Sequence, residues 1–358
     1  MSSIEDKYIV VMSHCVVTKG KTRSIVCDLQ RQEYTIIPND LAHFLENAQN
    51  RTIGELRILF GTENSEIIDE YLSFLIELDF IYFSSLENEQ IRFPALNTEI
   101  VESSIISNAV VEIDINNFDI IYKLLSSLMY LGCKHIEIRF FHKFKKYNII
   151  SLLDYLDDTQ IMNINLVLPY QIGVLSIDFV DYFLKNQRLK SILYYNSPFE
   201  KRDVYHSGLL SVNFTCLDNQ LNLHCGISHP SYFAISVPTY IESISFNSCL
   251  NKKVAIDRHG NIKNCPSMVG SYGNIYTENI FDVISNTNFK SLWGINKSQI
   301  ETCKVCEFRN ICTDCRAFLE APNDLYSKPL KCGYNPDTNI WEDWSTNPIK
   351  QKTFLVYK

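Results

Sequence analysis

Three things are scarce in this sequence, and each scarcity removes a class of function. No apolar run approaches the length of a bilayer-spanning helix, so no membrane partner is expected. Basic residues are outnumbered, with 33 Lys and Arg against 41 Asp and Glu, and the net charge of -8 argues against a nucleic-acid partner, which calls for a basic face. No phosphate-cradling glycine loop is found, so ATP chemistry is not expected of this chain itself. The first residues, Met1 to Lys7, are polar and acidic and lack the charged-then-apolar pattern of a secretion signal. The expected location is cytoplasmic.

Cysteine is the residue present in quantity, with 12 in 358 positions. Cytoplasmic thiols stay reduced, so these are not expected to form a disulfide framework, and some are expected to bind metal. At 46% hydrophobic residues, the chain is long and apolar enough for two or three domains with real cores.

Three regions emerge along the chain, giving an α/β protein. In the first, about residues 1–90, the stretches Lys7 to Val17, Arg23 to Asp28 and Glu33 to Ile37 read as strands. Pro38-Asn39-Asp40 opens an apolar-periodic stretch. Thr52-Ile53-Gly54-Glu55 is a capping-box pattern. Ile67, Ile68, Tyr71, Leu72, Leu75 and Leu78 mark the stripe of a longer helix, and Ile81 to Phe83 read as a closing strand. This order is winged-helix-like. The second region, about 100–245, alternates strand and helix: Val110 to Ile115, Asn117 to Leu131, Ile136 to Phe141, Asn148 to Leu156, Ile164 to Leu168, Ile177 to Leu184, then Ser191 to Tyr195. The rhythm predicts βα units, a parallel sheet and a partial barrel. The third region, about 246–340, is cysteine-rich and full of turn residues. Residues 341–358 read as a polar tail with one apolar patch.

Seven cysteines fall in the third region. Cys249 and Cys265 flank a predicted hairpin turning at His259-Gly260, which folds them towards each other. Cys303-Lys304-Val305-Cys306 and Cys312-Thr313-Asp314-Cys315 are C-x-x-C pairs, and Cys332 follows. Such pairs let two thiolates reach one centre from a tight turn. Spacing alone leaves a four-cysteine zinc site and an iron–sulfur cluster both open. An ordinary zinc site would leave Cys249, Cys265 and Cys332 unexplained.

The full pattern resembles the SPASM domain found behind peptide-modifying radical SAM enzymes. Cys249, Gly260 and Cys265 match its opening, and Cys303, Cys306, Cys312, Cys315 and Cys332 its close. One departure is the two residues between Cys312 and Cys315, where the commoner pattern has three. The resemblance implies two iron–sulfur clusters of the 4Fe-4S type. Carried over by position, Cys249, Cys265 and Cys315 bind the first, and Cys303, Cys306, Cys312 and Cys332 the second. Cys225 is the candidate fourth ligand of the first, with a buried small hydrophobe as its alternative reading. Cys15, Cys27, Cys133 and Cys216 are expected to be core residues.

The radical SAM triplet C-x-x-x-C-x-x-C is missing; no cysteine lies between Cys27 and Cys133. The second region therefore resembles a degenerate radical SAM-like core, with Asn116, Asn117 and Asp119 where the cluster loop would be, and cleavage of S-adenosylmethionine is not expected. The first region resembles a PqqD-like precursor-recognition element, to which a leader peptide adds as a strand. A plain winged-helix structural domain is the alternative. Stretches such as Lys19 to Arg31, Ile37 to Leu41, Asn264 to Met268, Gly273 to Ile275, Cys303 to Ala317 and Lys328 to Tyr334 make the whole chain similar to the SPASM-domain peptide maturases of grasp-with-SPASM systems. That resemblance implies two partners, a ribosomal precursor peptide and an ATP-grasp ligase. The expected function is an accessory maturation factor; whether it is itself an enzyme stays open. The alternatives are a redox enzyme with an open auxiliary cluster and a zinc-stapled adaptor.

Overall fold

Antiparallel pairing opens the chain in the computed structural model, which describes residues 3–87, 89, 94–99, 103–114, 120–173, 177–205 and 208–357. Its contacts group the chain into two units. The first is Met1–Ile100, Gly226–Ser248 and Ile295–Lys358, and the second is Val101–Cys225 and Cys249–Gly294. Among the described residues no helix is long and apolar enough to cross a membrane.

The first unit begins with β1 (Tyr8–Val11), β2 (Cys15–Lys19), β3 (Ser24–Asp28) and β4 (Glu33–Ile37). The single strand expected over Lys7 to Val17 is two. A turn at Met12–Cys15 sends β1 to a different partner from β2, and the Cys15 N–H donates to the Met12 carbonyl at 2.9 Å. Helices α1 (Asn39–Asn47), α2 (Ile53–Phe60) and α3 (Ser65–Glu77) follow, then β5 (Ile81–Ser84). Thr52 and Glu55 form the expected capping box at the start of α2. On α3, Ile68, Leu72 and Leu75 are buried at i, i+4 and i+7, while Ile67 lies off the stripe and is exposed. β1 pairs with β5; β2, β3 and β4 form a three-stranded antiparallel sheet in that order.

Strand β3 explains why the first unit is one body. All five of its residues are buried. By the two-residue alternation of a strand, Val26 packs among Ile9, Leu41, Phe44, Leu56 and Leu72 on the helix side, while Ile25 and Cys27 face the other way. There they meet Phe308, Ile311, Cys312, Cys332 and Tyr334. The cysteine-rich segment thus packs on the face of the N-terminal sheet that its helices leave open.

The second unit carries β6 (Asn108–Ile113), α4 (Ile121–Tyr130), β7 (His135–Phe140), α5 (Lys146–Asp157), β8 (Asn163–Pro169), α6 (Ile177–Lys185), β9 (Leu189–Tyr195), β10 (Lys201–Tyr205) and β11 (Leu210–Phe214). The chain then gives α7 (Val237–Ser245) to the first unit and returns with β12 (Lys253–Ile256), β13 (Asn261–Lys263), β14 (Gly273–Asn274), α8 (Ile280–Ser285) and α9 (Thr287–Lys290). The nine strands make one sheet in the order β10-β11-β9-β8-β7-β6-β12-β13-β14. Its centre is parallel, as the βα rhythm predicts, and its margins are antiparallel. Strand β7 shows the two faces of this sheet. Ile136, Ile138 and Phe140 are buried in the core, while Glu137 and Arg139 alternate onto the polar side. The loop holding Asn116, Asn117 and Asp119 lies outside the described residues.

The first unit closes with β15 (Tyr334–Asn335), β16 (Ile340–Trp341) and α10 (Pro348–Phe354). The stretch expected as a polar tail is therefore folded. Asn347 caps α10 and Pro348 starts it, Phe354 is buried, and the Tyr357 hydroxyl bonds the backbone of Leu319.

Candidate metal centre

Cys303, Cys306, Cys312 and Cys332 come together in the first unit. The first two sit on one tight turn, where the Cys306 N–H donates to the Cys303 carbonyl at 3.0 Å. Cys312 enters from the next turn, its N–H bonded to the Phe308 carbonyl at 3.0 Å. Cys303, Cys312 and Cys332 are buried, and Cys306 is half-buried. Burial pushes the Cys303 thiol up to about 12; Lys297 acts against that, while Cys332, Asp314 and Cys312 add to it. Cys306 is likewise raised by burial and feels Cys303, and Cys332 is raised by burial and feels Cys312. The four thiols lie close enough to act on one another's charge. Such thiols are poor nucleophiles by themselves and become ligands by giving up their protons to a metal.

A lysine stands among them. Lys297 is 5% exposed, and its Nζ lies 2.9 Å from the Cys312 Sγ. Burial works against its charge, but Cys312, Cys303, Asp314 and Cys332 outweigh it and the pKa is raised.

The loops around the four cysteines are fixed by buried polar groups. Glu307, next to Cys306, is 1% exposed and accepts from Arg23 Nε at 2.7 Å and from the Tyr334 hydroxyl. Gly20 makes room for this contact, because a Cβ there would lie 2.9 Å from the Glu307 Cβ. The Lys21 N–H donates to the Val305 carbonyl at 2.8 Å. The Lys19-to-Arg23 turn therefore buttresses the first C-x-x-C loop. Asp314, inside the second loop, pairs with Arg316 at 2.6 Å and accepts from Asn247 at 2.9 Å. Lys331, immediately before Cys332, is fully buried with its ammonium over Phe318, Phe354 and Trp344, at 4.2, 5.0 and 5.3 Å from the ring centres. Cys315 belongs to the same unit and packs on Gly226. A Cβ on Gly226 would sit 2.7 Å from its Sγ, so the glycine is what allows that approach.

A second group lies in the second unit. Lys253, on β12, places its Nζ 4.0 Å from the Cys249 Sγ. The Cys249 thiol is the largest influence raising the Lys253 pKa; burial opposes it, and Cys265 and Glu137 add to it. Cys225 lies 3.2 Å from the hydroxyl of Ser267, two residues past Cys265, and acts on Arg139. Arg139 is held by Glu137 at 2.5 Å and Glu112 at 3.6 Å. Cys225 is exposed, so it is not the buried hydrophobe of the alternative reading. Cys249, Cys265 and Cys225 thus share one unit, and Cys315 belongs to the other.

None of the twelve cysteines is in a disulfide. Cys15, Cys27 and Cys133 are buried, and burial raises each thiol to about 12, as suits inert core residues. Cys216 is exposed instead, its N–H held by the Glu200 carboxylate. Burial makes core packing the default for a cysteine in a strand; this one falls just past the end of β11 and is exposed.

Donor spacing bears on the kind of metal. A tetrahedral zinc with Zn–S bonds near 2.3 Å holds its sulfurs about 3.8 Å apart. Among the described residues, His14, Cys15 and Asp28 form the only group of three metal-ligating side chains whose donor atoms all lie within 4.8 Å of one another. No three of the site cysteines are that close. Asp28 in that trio is already engaged, since its Oδ1 accepts from the Gln30 and Arg31 N–H groups. Lys297, Lys253, Arg23 and Arg316 escape a reading of spacing, because a lysine or arginine in sequence looks like a surface residue. Their only signal is proximity in sequence to cysteines.

No family model matches the chain, and no curated protein matches it. Solved structures with similar chain traces are of Streptococcus suis SuiB. The S-adenosylmethionine-bound form is 12% identical, with 90% of this chain and 98% of that one covered at a TM-score of 0.40. A structure of SuiB without a named ligand gives 12%, 89%, 98% and 0.39. The complex with precursor peptide SuiA gives 10%, 86%, 96% and 0.38. With TM-scores below 0.5, these likenesses carry no argument about the chemistry of this chain.

Proposed function

We propose that this chain is an iron–sulfur peptide maturation factor that binds a ribosomal precursor peptide and assists a partner ATP-grasp ligase in modifying it. One observation carries the reading. Four cysteines from three turns, three of them buried, lie close enough to act on one another's charge without any three closing to within 4.8 Å, and a cluster of several irons takes such a set of thiolates. Cys303, Cys306, Cys312 and Cys332 would hold the second cluster. Cys249, Cys265 and Cys225 would hold the first. When bound, such clusters accept and return single electrons. The protein's part is to exclude water, fix the thiolates and supply compensating charge.

Peptide binding is assigned to the N-terminal sheet, with the barrel-like second region as a degenerate radical SAM-like scaffold. Strand β2 is an edge of its sheet. Beside it runs a groove of about 800 Å³ lined by Val11, Met12, Val16, Val17, Leu45 and Leu96 among others. An extended peptide laid there gains backbone bonds from the strand edge and apolar pockets for alternate side chains. ATP activation is left to the ligase.

Purification without oxygen tests the reading. A brown protein is expected, with broad violet absorption that dithionite bleaches, and with affinity for a candidate precursor peptide that falls when proline replaces a residue in the pairing stretch. A colourless protein holding zinc and no labile sulfide would establish the adaptor instead.

A further inference from the structure

Lysine is among the residues least often fully buried, because its ammonium loses its hydration there and needs a partner. Lys297 is nevertheless 5% exposed, and its Nζ lies 2.9 Å from the Cys312 sulfur. It is placed there by a short 3-10 turn, Lys297–Gln299, whose Asn296 cap is tied to the Ile244 carbonyl at 2.8 Å. The neighbouring carboxylate, Asp314, is committed to Arg316 and Asn247. The ammonium therefore points at sulfur rather than at an ordinary ion-pair partner.

We propose that Lys297 sets the reduction potential of the second cluster, donating an N–H···S bond to Cys312 and placing a positive charge beside the four thiolates. The proposal rests on the reading that these cysteines hold an iron–sulfur cluster. The physics is direct. Adding an electron to a thiolate-ligated cluster adds negative charge. A buried cation nearby stabilises the reduced form more than the oxidised one, and a hydrogen bond to a ligand sulfur acts in the same direction. Burial makes both effects larger, since water does not screen them. Lys253 supplies an internal comparison. It stands 4.0 Å from the Cys249 sulfur, too far for a strong hydrogen bond, so it contributes charge with little direct donation.

The test is a redox titration of the anaerobically purified full chain, followed by electron paramagnetic resonance. Iron and sulfide are counted first in wild type and in Cys306→Ala. Wild-type protein with no Cys306-dependent signal fails the cluster reading and takes this proposal with it, before any lysine variant is compared. Given that signal, Lys297→Met is expected to retain iron and sulfide and to make the second cluster harder to reduce by at least tenfold in the equilibrium constant, about 59 mV for one electron. Lys297→Arg, which keeps charge and donors, is expected to stay within threefold of wild type. An unchanged potential in Lys297→Met overturns the proposal. If Lys297→Met does not keep its iron, Lys297→Gln gives the reading, and the same fall is expected. Loss of iron from both, with retention in Lys297→Arg, assigns Lys297 to holding the pocket together and also overturns the proposal.

Discussion

The two cysteine groups share a design and differ in closure. Each places a lysine beside thiols, Lys297 by Cys312 and Lys253 by Cys249. The first unit supplies all four proposed ligands of its cluster from within itself, along with the charges that fix their loops. The second supplies Cys249, Cys265 and Cys225, one ligand short of a full set. A self-contained pocket folds with its ligands preset. In the three-cysteine group the exposed member, Cys225, is the ligand most easily exchanged for water.

The largest effect that would break this contrast is ligand loss. Cys306→Ala is expected to remove the second cluster and leave the first, and Cys265→Ala to do the reverse, read as separate paramagnetic signals. If both substitutions abolish the same signal, the division of ligands is wrong. Next comes the buttress. Arg23→Ala leaves Glu307 buried without its cation and is expected to destabilise the first unit by about 3 kcal/mol. Chemical denaturation would show it, and an unchanged midpoint would show that the turn only touches the loop. A finer test exchanges Cys225 for Ser. We expect the first cluster to persist at less than half of wild-type occupancy, because one soft ligand becomes a poor one; full loss would give Cys225 the same weight as the buried ligands. The smallest effect is a null. No 5′-deoxyadenosine above background is expected when the reduced protein meets S-adenosylmethionine, and product that disappears in Cys265→Ala would reveal an unrecognised radical site.

Much of this was readable from local pattern. The capping box at Thr52 and Glu55, the turn at His259-Gly260 and the βα alternation all depend on neighbours in sequence, and the structure has each of them. The break at Met12 was not readable, because only the partners of β1 and β2, far along the chain, require it. Nor was the folded C-terminus, whose Lys350 reaches the Cys332 carbonyl at 2.5 Å. Cysteine spacing named the candidate ligands, but Arg23 meeting Glu307 and Lys297 meeting Cys312 are tertiary facts. Buried charges are invisible to periodicity, since the same residue types populate every surface.

The most direct measurement is a count of iron, labile sulfide and zinc per chain in anaerobically purified wild type and Cys306→Ala, paired with paramagnetic resonance. We expect about eight irons and eight sulfides in the wild type, falling to about four of each in the variant with one signal left, and no stoichiometric zinc. One zinc per chain without sulfide, lost in Cys306→Ala, would contradict the cluster reading.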